Sequence, residues 1–325
     1  MPWHGIVTVF MGIVSFDKNE VLSFLLKRKL AYYVFKLVFL LLSFISLPHH
    51  LTGQYYQMQI STVTDEAGNV PSATFAIVED LQGFIWFGTI DGLYRYDGFN
   101  YKIFRNQGGG SNSLSNNTIR GLAVDKNGII WIATQGGGVD AFDPVSEKFI
   151  NYRYTGKMSN EIRGNFVWSI IVDSNNDVWL GVSGIGVDKI KQSSGKIEHY
   201  NLLENEAGFN QENDVRCLLE DKRGNIWAGV SNQGLSCINI ITGKVKNYFA
   251  DYKNTGKLSN DMPYDLLLTS ENVIWTATFG GGINIFNEDS ETFTYIRSAD
   301  KEIPLITDLT YSIIERVPGE YWIAT

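Results

Sequence analysis

The sequence predicts an all-β protein built from repeated four-stranded antiparallel units, and two observations carry that prediction. Tryptophan recurs every 45 to 48 residues, within the phrases GFIWFGT, GIIWIAT, NDVWLGV, GNIWAGV, NVIWTAT and GEYWIAT. These residues are Trp86, Trp131, Trp179, Trp227, Trp275 and Trp322. Each period also holds four short segments rich in branched and aromatic residues. Four strands in a repeat of this length are typical of a β-propeller blade.

The second copy shows how the four strands are delimited. Strands are expected at residues 118–124, 129–134, 139–142 and 148–154, separated by turn residues. The first turn begins with an aspartate that caps backbone N–H groups in four of the copies. The residue three positions later is always Gly or Asn, which tolerate a positive φ; these residues are Gly83, Gly128, Asn176, Gly224, Asn272 and Gly319. Thr269 and Arg316 replace the aspartate in the last two copies, so weaker turns are expected there.

The second turn ends at a glycine in each of the first five copies, namely Gly92, Gly138, Gly186, Gly234 and Gly282. The tryptophans and their apolar neighbours are predicted to pack between blades. Residues 54–325 are assigned to a propeller of about five full blades and a truncated sixth. The sixth unit reaches only its second strand, so the chain is interpreted as part of a longer protein that is incomplete at its C-terminus.

The N-terminal segment, residues 1–53, differs from the repeats. Three basic residues, Lys27 to Lys29, precede an apolar stretch at residues 30–47 that predicts a hydrophobic helix. This pattern is typical of either a secretory signal peptide or a membrane anchor, and the sequence leaves both open. Both alternatives place the propeller outside the cytoplasm.

Charge and cysteine content restrict the partners. The formal net charge is −8, and the 27 basic residues are scattered among 35 acidic ones. Such a distribution argues against nucleic-acid binding, which needs clustered Lys and Arg. Cys217 and Cys237 fall on the first and third strands of one unit, beyond disulfide reach, and two buried thiols are expected.

The repeated phrase also supports a family resemblance. Residues 79–98, EDLQGFIWFGTIDGLYRYDG, resemble the two-component regulator propeller repeats of exported sensor regions in Bacteroidetes hybrid histidine kinases. The third and fourth copies depart from the family pattern, ending Gly181-Val182 and Gly229-Val230. The resemblance implies a periplasmic sensor attached to the inner membrane, which binds a glycan or similar polar ligand. It further implies a dimeric full-length protein whose kinase portion feeds a phosphorelay.

Two aligned columns near one end of the inner strands suggest where a ligand would bind. The polar column comprises Ser72, Asn117, Asn165, Asn213, Asp261 and Asp308. The planar column comprises Phe75, Arg120, Trp168, Arg216, Tyr264 and Tyr311. Amides, carboxylates and flat side chains together suit a sugar. The predicted ligand-binding residues are Asn117, Arg120, Asn165, Trp168, Asn213, Arg216, Asp261 and Tyr264.

A structural role for both columns is the alternative, because such residues also cap incoming loops and pack between blades. Long loops at residues 105–116, 155–164, 201–212, 250–260 and 297–307 are expected on the same face as the second turns, where recognition commonly resides. A protein-interaction or dimerisation platform remains a second function.

Catalysis is a further alternative, as a lyase or a two-carboxylate glycosidase. His199 is the one propeller histidine and falls on an outer strand, while Asp214, Asp261, Asp265 and Asp308 fall near inner strands. No catalytic residue, cofactor or metal site is predicted. The calcium-loop pattern that begins at Asp173 fails at Val178, which stands where the loop requires glycine.

Overall fold

A computed structural model describes residues 62–325, apart from residues 65, 67, 69, 109–111, 204–212 and 252. The predicted hydrophobic helix and its signal or anchor role fall on residues 1–53 and lie outside the described part. Among the described residues, no helix combines the length and apolarity that crossing a bilayer requires.

The described residues form five four-stranded antiparallel sheets and one two-stranded sheet, each in simple sequence order. The strands of the first two sheets are β1 (Thr74–Glu79), β2 (Ile85–Thr89), β3 (Leu93–Tyr96), β4 (Tyr101–Phe104), β5 (Ile119–Val124), β6 (Ile130–Thr134), β7 (Gly138–Asp143) and β8 (Lys148–Tyr152). Those of the third and fourth are β9 (Val167–Val172), β10 (Val178–Val182), β11 (Gly186–Lys191), β12 (Lys196–Tyr200), β13 (Val215–Glu220), β14 (Ile226–Val230), β15 (Gly234–Ile238) and β16 (Val245–Tyr248). Those of the last two are β17 (Pro263–Leu268), β18 (Ile274–Thr278), β19 (Gly282–Asn287), β20 (Thr292–Ile296), β21 (Ser312–Val317) and β22 (Glu320–Ala324).

The sheets are the blades of a β-propeller. Each first strand contacts the first strand of the next sheet, in the order β1, β5, β9, β13, β17 and β21. These inner strands therefore lie side by side, and the later strands of each blade extend outward from them. The predicted architecture of five full blades and a partial sixth is confirmed, with strand ends within about two residues of those expected in the second copy.

Apolar clusters join each blade to the next. Trp131 of β6, for example, lies in one cluster with Val167 of β9 and Val178 of β10. The tryptophans of the first five blades are at most 3% exposed, whereas Trp322 is half-buried. The prediction that the repeated tryptophan packs between blades is confirmed for those five.

The aspartate of the first turn bonds to more than the backbone. In the second blade, Asp125 Oδ1 accepts the backbone N–H groups of Asn127 and Ile129 at 2.8 and 3.0 Å. Its Oδ2 accepts the indole N–H of Trp131 at 3.0 Å. Equivalent sets form at Asp80, Asp173 and Asp221. The capping is as predicted, and the bond to tryptophan explains why the two residues keep a constant separation.

The second turn needs glycine for two reasons. Gly138 has a φ of 82°, a region that L side chains rarely adopt. A Cβ at this position would also lie only 2.2 Å from the carbonyl oxygen of Tyr152 on β8. The same carbonyl crowding occurs at Gly92, Gly186, Gly234 and Gly282. The outer strand therefore packs directly against the glycine.

The two cysteines are unpaired, as predicted. Cys217 is buried on β13, and Cys237 is partly buried on β15. Burial raises the pKa of the Cys237 thiol to about 12, so it stays protonated and unreactive at neutral pH.

Candidate ligand-binding site

The planar column forms a continuous stack across all six blades. The guanidinium carbon of Arg120 lies 4.3 Å from the ring centroid of Phe75 and 4.4 Å from that of Trp168. That of Arg216 lies 4.0 Å from the Trp168 ring and 5.5 Å from the Tyr264 ring. The Tyr264 and Tyr311 ring centroids are 5.6 Å apart, with the rings edge to face. Cations and aromatic rings therefore alternate over the first five members.

β-Bulges aim these side chains out of their sheets. In β5 the pairing with β6 passes from Ile119 to Gly121 and leaves Arg120 as the extra residue. The same interruption leaves the planar residue unpaired in β1, β9, β13 and β17. A bulge lets one residue escape the alternation of a strand and redirects its side chain. Five successive bulges at one position bring the planar side chains together at the rim.

The two arginines have different polar partners. Arg120 donates from Nε to Gln135 Oε1 at 2.8 Å and also from Nη2 to the same neutral oxygen. Arg216 donates from Nε to Ser231 Oγ at 3.0 Å and from Nη2 to Asp214 Oδ2 at 2.8 Å. Within the described part of the chain, Arg120 has no ion-pair partner.

The electrostatics of the stack follow from this arrangement. Burial lowers the pKa of Arg120, the charge of Arg216 lowers it further, and the charge of Asp214 opposes both effects. The guanidinium stays protonated, because its ordinary pKa lies far above neutrality. The two cations thus act on each other within a half-buried cluster.

Trp168 differs from the tryptophans of the blade interfaces. Its indole N–H is buried and has no hydrogen-bond partner among the described residues. The indole N–H groups of Trp86, Trp131, Trp179 and Trp227 all donate to a first-turn aspartate. An unpaired buried donor carries a desolvation cost that a bound acceptor would remove.

Most side chains of the polar column form hydrogen bonds with the backbone. Asn117, Asn165 and Asp261 each accept, through a side-chain oxygen, a backbone N–H of the loop that precedes their blade. Asn213 donates its amide to the carbonyl of Ser231 at 3.0 Å and is 2% exposed. These four predicted ligand residues therefore have structural partners, and the candidate site centres on the planar column.

The main chain of the polar column also ties neighbouring blades. The carbonyl of Asn165 accepts the N–H groups of Gly136 and Gly138 at 2.9 Å, so it holds the second turn of the preceding blade. The carbonyl of Asp308 holds Gly280 and Gly282 in the same way at 3.0 Å. The loops that enter each blade therefore lie on the same face as the second turns, as expected.

Sequence reasoning missed a set of buried polar residues that holds the long loops. Asp140 Oδ2 accepts the backbone N–H of Ser115 at 2.8 Å, and Asp188 Oδ2 accepts that of Arg163 at 2.7 Å. Asn284 Oδ1 accepts the N–H of Ser259 at 2.8 Å. A polar residue two positions after each second-turn glycine from Gly138 onward was the available signal.

Residues considered for catalysis or calcium binding have partners within the fold. His199 lies on outer strand β12, where Nδ1 is 2.9 Å from Asp188 Oδ1. Asp265 Oδ2 accepts the hydroxyl of Ser312 at 2.6 Å and the N–H of Ile313 at 3.0 Å, and burial raises its pKa. Asp173 shares Lys189 with Asp177, with N–O distances of 3.3 and 2.9 Å. In the described residues, no three His, Cys, Asp or Glu side chains are grouped as metal ligands.

Two of the repeats match a known protein family. The model of the two-component regulator propeller matches residues 113–136 and 211–232. The first segment contains β5 and β6 and the second contains β13 and β14, the strand pairs that include the tryptophan phrase. These two segments are two-component regulator propeller repeats. A search of curated protein sequences found no match.

Solved structures share the fold of these regulator propeller repeats. The extracellular domain of a hybrid two-component system from B. thetaiotaomicron is 19% identical with a TM-score of 0.53, over 78% of this chain and 37% of that one. PorZ, a surface component of the type-IX secretion system of Porphyromonas gingivalis, is 16% identical with a TM-score of 0.56, over 77% and 38%. Virginiamycin B lyase from Staphylococcus aureus is 13% identical with a TM-score of 0.57, over 78% of both chains.

These similarities are at the level of fold. The chain spans about two fifths of the length of the B. thetaiotaomicron and P. gingivalis proteins, with 37% and 38% of those chains covered. Because propellers serve sensing, secretion and lyase proteins alike, function has to be argued from the site.

Proposed function

We propose that this chain is an extracytoplasmic ligand-sensing propeller of a two-component signalling protein, and that it recognises a glycan or similar polar ligand at the planar column. The observation that carries the proposal is the bulge-directed stack of Arg120, Trp168, Arg216 and Tyr264. Bulges are common beside binding sites, where they redirect side chains. Five such bulges occur at equivalent positions of the inner strands.

The chemistry of the stack suits a sugar. Aromatic faces accept the apolar C–H face of a pyranose ring, and arginine N–H groups donate to its hydroxyls. Phe75 and Tyr311 at the two ends of the stack are 48% and 44% exposed, so flat surface is accessible there. The polar column holds the loops and turns around the stack, through Asn117, Asn165, Asn213 and Asp261.

The signalling context rests on the repeats and the N-terminus. The two-component regulator propeller repeats and the basic-then-apolar start together support an exported, periplasmic sensor region. Attachment to the inner membrane, a kinase portion that feeds a phosphorelay, and dimerisation of the full-length protein belong to the same proposal. We assign no catalytic residue, cofactor or metal to this region.

Isothermal calorimetry of the full chain against a panel of soluble oligosaccharides tests the proposal. We expect at least one to bind, and Arg216→Gln to weaken it at least tenfold. Arg223→Gln is the matched control, because Arg223 lies beyond the other end of β13, where it pairs with Glu288. Binding heat that is absent across the panel, or equal in both variants, contradicts a ligand site at the planar column.

A protein-interaction platform is the second candidate, favoured by exposed apolar side chains on the first and last blades. Ile77 on β1 is 61% exposed and Ile314 on β21 is 53% exposed. Inner-strand residues at these positions are covered by a neighbouring blade elsewhere in the fold. Tight dimerisation of the full chain in sedimentation experiments, reduced by Ile77→Asp and accompanied by no glycan binding, would favour the platform.

A further inference from the structure

We infer that the ligand of the planar column carries a negative charge, a carboxylate or sulfate group on a saccharide, which binds to Arg120 and Arg216. This inference rests on the proposed function, since it names the chemical class of the ligand at the same site. Its basis is the charge and the hydrogen-bond capacity of the stack.

The stack has an excess of positive charge. Arg216 has one carboxylate partner, Asp214, at 2.8 Å, and Asp214 Oδ1 also accepts the hydroxyl of Ser183 at 2.6 Å. Arg120 is bonded instead to a neutral amide oxygen of Gln135. The charges that act on the pKa of Arg120 are those of Arg216 and Asp214. Two guanidinium groups therefore share one carboxylate.

Such an arrangement is costly without a counter-ion. Arg120 is half-buried, so its charge has lost part of its hydration, and the like charge of Arg216 adds repulsion. The aromatic faces of Phe75 and Trp168 compensate only partly, because cation–π contacts leave the net positive charge in place. An anion bound to the arginines balances the excess charge and supplies acceptors for their remaining N–H groups.

Both arginines retain the donors that an anion needs. A guanidinium has five N–H groups, and in the described residues Arg120 and Arg216 each use two of them. The remaining N–H groups include pairs that fit the two oxygens of a carboxylate or sulfate.

The rest of the molecule limits the size of the anion. The chain has a formal net charge of −8, so a long polyanion such as nucleic acid would be repelled by most of its surface. A short saccharide with one or a few acidic groups would contact the stack without extending over the acidic surface. Its neutral ring face would lie against the exposed ring of Phe75, which contacts Arg120.

Matched acidic and neutral sugars test the inference. The full chain is titrated calorimetrically with a uronate oligosaccharide and its carboxyl-reduced form, and with a sulfated oligosaccharide and its desulfated form. We expect at least one acidic member to bind at least tenfold more tightly than its neutral partner. Because the attraction is electrostatic, the affinity should fall as NaCl is raised from 50 to 500 mM, since salt shortens the distance over which charges attract each other.

Arginine variants show where the discrimination arises. Arg120→Gln and Arg216→Gln should each bring the acidic and neutral affinities together, and Arg223→Gln should leave their ratio unchanged. Arg120→Lys keeps the charge without the planar fork, so it should retain part of the preference and serves if Arg120→Gln fails to fold.

The outcomes separate this inference from the proposed function. Equal binding of the acidic and neutral forms overturns the anionic ligand while a glycan sensor stands. A preference for acidic sugars that persists in both glutamine variants also overturns it, since residues other than these two arginines then bind the acidic group. Absence of binding by every saccharide overturns the proposed function and the inference together.

Discussion

The guanidinium carbon of Arg216 lies 4.0 Å from the centre of the Trp168 ring, although the two residues come from successive repeats. Arg120 of the preceding repeat approaches the same ring at 4.4 Å. One indole is thus flanked by cations from two neighbouring blades. The repeated tryptophans join blades through apolar contacts, whereas Trp168 joins them through a polar stack at the rim.

Replacing Trp168 should affect binding much more than stability. In Trp168→Ala the contacts to both arginines are lost, which corresponds to about 1 to 3 kcal/mol and a drop of a few degrees in the melting temperature. Trp179→Ala, at a residue that is 0% exposed, should cost about 3 to 5 kcal/mol. Thermal melts and calorimetric titrations of both variants check this contrast. A similar loss of stability in the two would assign Trp168 to the core.

Removing a first-turn aspartate should be strongly destabilising. Asp125→Ala leaves two backbone N–H groups and the indole N–H of Trp131 without their acceptor, so we expect a loss of about 2 to 4 kcal/mol. Asp143→Ala is the control, because Asp143 caps an exposed outer hairpin of the same blade. Urea unfolding should show a clearly smaller loss for that control. Equal losses would mean that the bond to tryptophan contributes nothing.

The second-turn glycine should tolerate no side chain. Gly138→Ala combines a φ of 82° with a Cβ only 2.2 Å from a backbone oxygen, and it should cost more than about 3 kcal/mol or prevent folding. Gly195→Ala also has a positive φ, 68°, yet nothing lies within 4 Å of its Cβ. That control should cost about 1 to 2 kcal/mol. Comparable melting temperatures for the two variants would exclude carbonyl crowding as the cause.

Asp140 should make stability depend on pH. Burial raises its pKa from 3.8 to about 6, against the opposing hydrogen bonds from Ser115 and Asn151. The folded state therefore holds this proton more tightly than the unfolded chain does, and it loses stability as pH rises from about 4 to 6. Over that interval the loss is on the order of 2 to 3 kcal/mol.

Asp140→Asn removes this titration, and the fifth blade already has Asn284 at the equivalent buried position. Unfolding free energies measured at pH 4 and pH 7 should fall less with rising pH in the variant than in the natural protein. Parallel behaviour of the two proteins would show that Asp140 titrates normally.

Most of the fold was predictable because its determinants are local in sequence. The separation of Asp125 and Trp131 is constant within a unit, and the Gly or Asn of the first turn marks a positive φ in every copy. Packing of the tryptophans between blades followed from the repeat itself. The crowding at Gly138 was not visible, because it depends on how closely β8 approaches the turn.

The site was predictable as a column and not as a stack. Alignment on the first turn brings Arg120, Trp168 and Arg216 to equivalent positions. The bulges that redirect these side chains were not predicted from the sequence pattern. Whether adjacent planar groups touch depends on the rotation between blades. The loop-holding role of Asn165 and Asp261 was an open alternative that required hydrogen-bond geometry to identify.

The indole N–H resonance of Trp168 gives the most direct test of the central claim that the planar column binds ligand. In ¹H–¹⁵N spectra of the full chain, Trp168→Phe assigns this signal among those of the 8 tryptophans. Titration with a sugar that binds in calorimetry should shift the Trp168 signal strongly. The signals of Trp131, Trp179 and Trp227, whose N–H groups are bonded to aspartates, should stay in place. A saturable binding heat that leaves the Trp168 signal unmoved would contradict the account and place the ligand elsewhere.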